Sequence, residues 1–130
     1  MLLPTDRAAR ILYIEDDPDI RAIAELALED VGGFTVRTCE SGEAGLLEAP
    51  GFAPDLVLLD VMMPGMDGPE TLQALRNDQG VRDVPVIFMT ARLQESEVDH
   101  YLRLGALGVI PKPFDPMTLA DTIRHILADN

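Results

Sequence analysis

Short strand-like segments alternate along the chain with stretches in which apolar residues recur every three or four positions. That spacing is typical of helices that bury one face, and continuous apolar runs are typical of strands buried on both faces. The predicted strands are residues 11–14, 34–39, 56–59, 84–89 and 107–110. We therefore predict an α/β fold in which five helices cover both faces of a five-stranded parallel sheet.

Capping residues mark the ends of several predicted helices. Asp17 stands at the N-cap position of the first helix, and Ser41 stands at that of the second. We predict that the second helix ends before Pro50. Asp67 and Glu70, three residues apart, are the sequence signature of a capping box at the start of the third helix.

Polar side chains follow the predicted strands directly. Right-handed crossovers make such a sheet doubly wound, and its ligands bind beyond the carboxyl ends of the strands. The polar residues at these ends are Glu15, Asp16, Asp17, Asp60, Thr90 and Lys112. The sequence therefore predicts one site that combines carboxylates, a hydroxyl and an ammonium group.

The carboxylates at this edge of the sheet predict a magnesium site. Carboxylates that lie close together repel one another, and a hard divalent cation removes that repulsion. Asp16 and Asp60 are the first-choice ligands. We expect Glu15 to act through a bound water and the backbone carbonyl of Met62 to supply a further oxygen.

An aspartate beside magnesium suits phosphoryl transfer. A carboxylate can attack phosphorus and form an aspartyl phosphate, and the transferring group spreads negative charge over its equatorial oxygens. We predict that Asp60 is the phosphoacceptor and that Thr90 and Lys112 each contact a phosphoryl oxygen.

Four motifs at the strand ends resemble the receiver domains of two-component response regulators. The motifs are Glu15-Asp16-Asp17, the segment 58–68, Thr90-Ala91 and Lys112-Pro113-Phe114. The resemblance spans about residues 10–128. We therefore divide the chain into an N-terminal extension, 1–9, and a receiver domain, 10–130. The resemblance implies a flavodoxin-like fold with strand order 2-1-3-4-5.

The resemblance also implies a function in a two-component phosphorelay. A histidine kinase or a histidine phosphotransfer protein would phosphorylate Asp60, and slow self-catalysed hydrolysis would remove the phosphoryl group. The chain is thus expected to be a signalling domain and not an enzyme. Phosphorylation would switch the surface formed by the loop after Thr90, the fourth helix and the last strand. A second copy of the chain, bound through the last helices, is a further predicted partner.

The end of the last strand departs from the family. Val109 stands three residues before Lys112, where the family often has a Tyr or Phe that turns inward on phosphorylation. We therefore expect the output signal to travel by another route. The resemblance also suggests a cis peptide bond between Lys112 and Pro113, at the turn that aims the ammonium group into the site.

Two further positions bear on the lifetime of the phosphoryl group. Met62 and Arg92 stand two residues after Asp60 and Thr90, positions that flank the path of the attacking water in the family. Neither side chain is a carboxylate or an amide that could orient this water. We therefore expect a fairly long-lived aspartyl phosphate.

Composition excludes several other classes of function. The net charge of −13, with ten basic residues scattered along the chain, argues against nucleic-acid binding. The sequence has no apolar run long enough to span a membrane and no signal-peptide pattern, so we expect a cytoplasmic protein. Its single cysteine, Cys39, is expected to be a small core residue.

Three other functions are alternatives to that of a phosphoryl-accepting receiver domain. A magnesium-dependent phosphohydrolase with an Asp nucleophile would place an acid two residues after Asp60, where this chain has Met62. A flavodoxin-like electron carrier would need a phosphate-binding loop after the first strand, and the acids there would repel a flavin phosphate. A degenerate receiver would be an interaction module only, which the intact set Asp16, Asp60, Thr90 and Lys112 argues against.

Overall fold

The computed structural model describes residues 3–91 and 94–130, and its parallel strands form one sheet in the order β2-β1-β3-β4-β5. The strands are β1 (Arg10–Ile14), β2 (Thr35–Cys39), β3 (Leu56–Asp60), β4 (Val86–Thr90) and β5 (Gly108–Pro111). The helices are α1 (Pro18–Leu26), α2 (Gly42–Phe52), α3 (Gly68–Arg76), α4 (Glu95–Arg103) and α5 (Leu119–Ala128). The predicted α/β fold and strand order are confirmed.

The sheet separates two layers of core side chains, because successive residues of a strand point to opposite faces. One layer lies under α1 and α5, and the other lies under α2, α3 and α4. In β1, Ile11 and Tyr13 belong to the first layer, whereas Leu12 and Ile14 belong to the second. All residues of β3 and β4 are buried. The continuous apolar runs of the sequence are thus strands with a core on both faces.

Side-chain caps begin three of the helices, as the sequence predicts. Asp17 accepts hydrogen bonds from the backbone N–H groups of Asp19 and Ile20, at 2.9 and 3.2 Å. The Ser41 hydroxyl caps α2 in the same way. Asp67 and Glu70 form the complete capping box of α3.

The end of α2 differs from the prediction, because the helix continues through Pro50 to Phe52. Tertiary contacts hold this last turn. Phe52 packs against the second core layer, and the Arg37 guanidinium lies 5.1 Å from the centre of its ring. The helix ends at Ala53, which adopts a left-handed conformation with φ of 52°. A proline near the end of a helix is therefore compatible with one more turn when an aromatic residue anchors it.

The first helix also continues beyond its regular part. A π-helical turn, Ala27–Val31, follows α1 directly, and the N–H of Gly32 donates to the carbonyl of Ala27 at 3.1 Å. Gly32 is tightly packed, since a Cβ atom there would meet the backbone oxygen of Leu28 at 2.7 Å. Gly32 is therefore required by close packing at the end of this helical segment.

The segment before β1 is attached to the sheet. The Arg7 guanidinium donates two hydrogen bonds to Asp55, at 2.8 and 3.0 Å, and Asp55 also accepts from the backbone N–H of Arg10. Leu3 packs against the first core layer. The division between an extension, 1–9, and the receiver domain stays a prediction. No helix within residues 3–91 and 94–130 is long and apolar enough to cross a membrane.

Candidate phosphoacceptor site

The strand order brings the predicted site residues to one edge of the sheet. Glu15 and Asp16 follow β1, Asp60 ends β3, and Lys112 follows β5. The Lys112 Nζ donates to Glu15 Oε1 at 2.7 Å and to Asp60 Oδ1 at 3.1 Å. Three residues that lie up to 97 positions apart in the chain therefore form one ion-paired group.

Backbone hydrogen bonds fix the positions of these side chains. The N–H of Lys112 donates to the carbonyl of Thr90 at 2.9 Å, which joins the end of β5 to the end of β4. The N–H of Glu15 donates to the carbonyl of Cys39 at 3.0 Å. The Arg21 side chain donates to the carbonyls of Glu15 and Asp16, at 2.8 and 3.1 Å. The functional side chains thus extend from regular strand ends and not from a loose loop.

Burial makes the charges of this group unequal. Glu15 and Asp60 are 0% and 2% exposed, so one ammonium group faces two buried carboxyls. Burial raises the pKa of Asp60 to about 7, and the neighbouring Glu15 acts in the same direction. Burial also acts to raise the pKa of Glu15. The hydrogen bonds of its carboxylate act in the opposite direction, and the one from Lys112 contributes most. Together they outweigh burial, so the pKa of Glu15 is lowered. Glu15 therefore keeps the negative charge that pairs with Lys112.

The acidic side chains fit a divalent cation. Carboxylate oxygens of Glu15, Asp16 and Asp60 all lie within 4.8 Å of one another, and Asp16 is exposed to solvent. Such a set of hard oxygen donors with an open side suits magnesium, which binds one or two carboxylates and keeps several waters. The Glu15 Oε1 atom already accepts from Lys112 and from the Tyr13 hydroxyl, at 2.7 and 3.3 Å. This arrangement agrees with a role for Glu15 through water, which stays a prediction.

The remaining predicted residues lie in, or just after, β3, β4 and β5. Thr90 is 1% exposed and ends β4, next to the strand that carries Asp60. Val109 is partly buried and packs against the second core layer. The Lys112–Pro113 peptide bond is cis, which confirms that prediction. The Met62 side chain is 64% exposed.

Sequence reasoning missed two residues that contact the acidic group, that is, Glu15, Asp16 and Asp60. The Arg21 guanidinium donates to the backbone carbonyls of Glu15 and Asp16, and the Tyr13 hydroxyl, in β1, donates to the Glu15 carboxylate. The alternation of side chains along a strand indicates only that Tyr13 points to the same side as Glu15, two residues further on, and not that the two side chains bond.

A comparison with protein families agrees with this geometry. The family model described as the response regulator receiver domain matches residues 11–124. The chain belongs to this family. The match covers all five strands except the first residue of β1, and it includes every residue of the acidic group.

Known proteins resemble this receiver domain over most of its length. Transcriptional regulatory protein CseB of Streptomyces coelicolor is 39% identical over 117 residues, 90% of this chain and 48% of CseB. Phosphate regulon transcriptional regulatory protein PhoB of Escherichia coli is 35% identical over 120 residues, 92% of this chain and 52% of PhoB. This receiver domain thus spans about half the length of these curated relatives.

A solved structure of nearly the same length also supports the fold, independently of the curated relatives, which are about twice as long as this chain. Chemotaxis protein CheY4 of Vibrio cholerae is 29% identical to this receiver domain and superposes with a TM-score of 0.84. The match covers 92% of this chain and 98% of CheY4. The similarity therefore extends over most of both chains.

Proposed function

We propose that this receiver domain accepts a phosphoryl group on Asp60 from the phosphohistidine of a histidine kinase or of a histidine phosphotransfer protein. The hydrogen bond from Lys112 Nζ to Asp60 Oδ1, beside Glu15 and Asp16, carries the proposal. Family membership supports it, because the match includes all four residues.

The chemistry is an exchange of one bond for another at phosphorus. An Asp60 carboxylate oxygen forms a bond to phosphorus, the P–N bond of the phosphohistidine breaks, and its electron pair leaves with the imidazole ring. The Lys112 ammonium group, now held between Asp60 and Glu15, would then donate to a phosphoryl oxygen. The Thr90 hydroxyl would donate to a second oxygen. Both contacts stabilise charge that spreads over the transferring group.

Magnesium fits the same site. Asp16, Asp60 and the backbone carbonyl of Met62 would hold the ion, with Glu15 contacting it through water. When bound, the ion would neutralise part of the negative charge on the phosphoryl oxygens and on the carboxylates.

Labelling of the wild-type domain tests the proposal directly. Acetyl phosphate with magnesium should add one phosphoryl group per chain, measured by intact mass, with acetate as the leaving group. Chelation of magnesium should prevent the reaction, and magnesium should raise the melting temperature of the unlabelled domain by mass action. A chain that takes up no phosphate under these conditions would be a degenerate receiver, that is, an interaction module only. Rapid release of inorganic phosphate over many turnovers would indicate a phosphohydrolase.

The lifetime of the aspartyl phosphate should depend on Met62. This side chain is 64% exposed and offers no group that could orient an attacking water. A Met62→Asn variant introduces an amide two residues after Asp60, so its phosphoryl group should decay severalfold faster. Intact mass after removal of acetyl phosphate measures the decay. Leu47→Asn, at an 85% exposed position on α2, should decay at the wild-type rate. Arg92, the second position expected to matter, lies outside the described residues.

Output should travel through α4 and not through the residue at position 109. Val109 is β-branched and stiff at χ1, whereas Tyr101 of α4 is buried and packs edge-to-face on Phe88, with ring centres 5.2 Å apart. Phe88 lies in β4, two residues before Thr90, so movement of Thr90 toward a phosphoryl group would reach α4 through this ring pair.

The amide NMR shifts of the labelled and unlabelled domain test this route. Changes on phosphorylation should concentrate in residues 91–104, with a small change in the Val109 methyl signals. A large rotamer change at Val109 with unchanged signals from α4 would contradict it. The homodimer through the last helices stays a prediction.

A further inference from the structure

Tyr13 is a buried tyrosine whose hydroxyl reaches the acidic group from within the sheet. It is 0% exposed, lies in β1 between Thr38 of β2 and Leu58 of β3, and packs in the core layer under α1 and α5. Its hydroxyl donates to Glu15 Oε1 at 3.3 Å. A phenylalanine would fill the same space in the core, so packing alone does not require the hydroxyl.

The Glu15 carboxylate accepts hydrogen bonds from Lys112, Tyr13 and the backbone of Asp17, and these donors differ in distance and in freedom to move. Its Oε1 atom accepts from Lys112 at 2.7 Å and from Tyr13 at 3.3 Å, and its Oε2 atom accepts from the backbone N–H of Asp17 at 3.3 Å. Lys112 has a long flexible side chain that also donates to Asp60. The Tyr13 hydroxyl, in contrast, is fixed by a ring buried in the core.

We propose that Tyr13 is a positioning residue whose hydroxyl holds the Glu15 carboxylate while Lys112 turns from Glu15 to the phosphoryl group on Asp60. The inference rests on the proposed function, in which Lys112 contacts a phosphoryl oxygen. Glu15 Oε1 keeps one donor after this turn because Tyr13 remains in place. With phenylalanine at position 13, the same turn removes both side-chain donors from a buried charged oxygen, which is unfavourable. Lys112 would then stay on Glu15.

Phosphorylation rates measure this role. At saturating magnesium, the maximal rate of labelling by acetyl phosphate should be at least about fivefold lower in Tyr13→Phe than in the wild type. Thr122→Val removes a hydroxyl that donates to the carbonyl of Thr118 at the start of α5, away from the acidic group, and should keep the wild-type rate. Equal rates in wild type and Tyr13→Phe would contradict the proposal.

A double-mutant cycle separates positioning from packing. Glu15→Gln alone should slow labelling, and Tyr13→Phe should slow it no further in the Glu15→Gln background, because the carboxylate that Tyr13 holds is no longer there. A packing defect would lower the rate by the same factor in both backgrounds, and that result would overturn the proposal.

A measurement that does not depend on rate uses Lys112, the only lysine of the chain. Selective isotopic labelling of lysine therefore gives a single side-chain NMR signal from the site. This signal should move strongly when the wild type is phosphorylated, and it should move much less in phosphorylated Tyr13→Phe. Identical movement in both would contradict the proposal. Failure of the wild type to take up phosphate would instead contradict the proposed function itself, so the two failures are distinguishable.

Discussion

An Asp60→Asn variant should take up no phosphate from acetyl phosphate, whereas the wild-type domain takes up one. An amide lacks the nucleophilic oxygen that attacks phosphorus, and Asp60 is the carboxyl that ends β3 and accepts from Lys112 at 3.1 Å. The matched control is Asp67→Asn, seven residues further along, where Asn also caps a helix well. This control should be labelled like the wild type. Undiminished labelling of Asp60→Asn, seen by intact mass, would contradict the assignment.

The same variant should be more stable than the wild type in magnesium-free buffer at pH 8. The folded-state pKa of Asp60 is raised to about 7, first by burial, so the folded domain holds this proton more tightly than the unfolded chain. Ionisation of Asp60 therefore reduces stability as pH rises from about 4 to about 7, and the reduction is complete above that range. Asp60→Asn removes this charge and leaves the Glu15–Lys112 pair intact.

Urea denaturation measures the size of this effect. The free energy of unfolding of Asp60→Asn should exceed that of the wild type by on the order of 1–3 kcal/mol at pH 8. The difference should shrink at pH 5, where Asp60 of the wild type is protonated. Equal free energies of unfolding at pH 8 would show that the ionised form of Asp60 is not destabilised in the folded domain.

The fold was predictable because local pattern and global architecture agree in this sequence. β3 and β4 are buried on both faces, so apolar runs predict their existence and type, although the predicted strand 84–89 begins two residues before β4 and ends one residue early. The capping residues of α1, α2 and α3 have side-chain oxygens that local geometry places without tertiary help. The predicted end of α2 was wrong. Pro50 disfavours a helix through its local backbone, whereas the contacts of Phe52 that hold the last turn are tertiary and are not visible in the local sequence.

The site was predictable to the level of which residues meet, but not of how they bond. Parallel strands end at one edge, so the order of strands is enough to bring Glu15, Asp60 and Lys112 together. The hydrogen bond from Tyr13 depends on how far its side chain reaches and on the orientation of the buried Glu15 carboxylate. The spacing of apolar and polar residues does not encode either of these. The unequal pKa values of Asp60 and Glu15 likewise arise from burial that only the folded chain has.

A Lys112→Met variant should lose both stability and phosphorylation. Methionine has a similar length but no charge, so two buried carboxyls would face each other without their cation. Removing one partner of a buried ion pair destabilises by about 3–5 kcal/mol, because the charge left behind is uncompensated. In magnesium-free buffer at pH 8 we expect a loss of this order in the free energy of unfolding.

The pH dependence identifies the cause of this loss. Protonation of Asp60 relieves the repulsion, so the destabilisation of Lys112→Met should be smaller at pH 5 than at pH 8. Lys112→Arg keeps the positive charge and should retain most of the stability at both pH values. Labelling by acetyl phosphate should fall at least about a hundredfold in Lys112→Met, because a preorganised charge on the transferring group is removed. A Lys112→Met variant with unchanged stability at both pH values would show that the ammonium group does not hold the two carboxyls together.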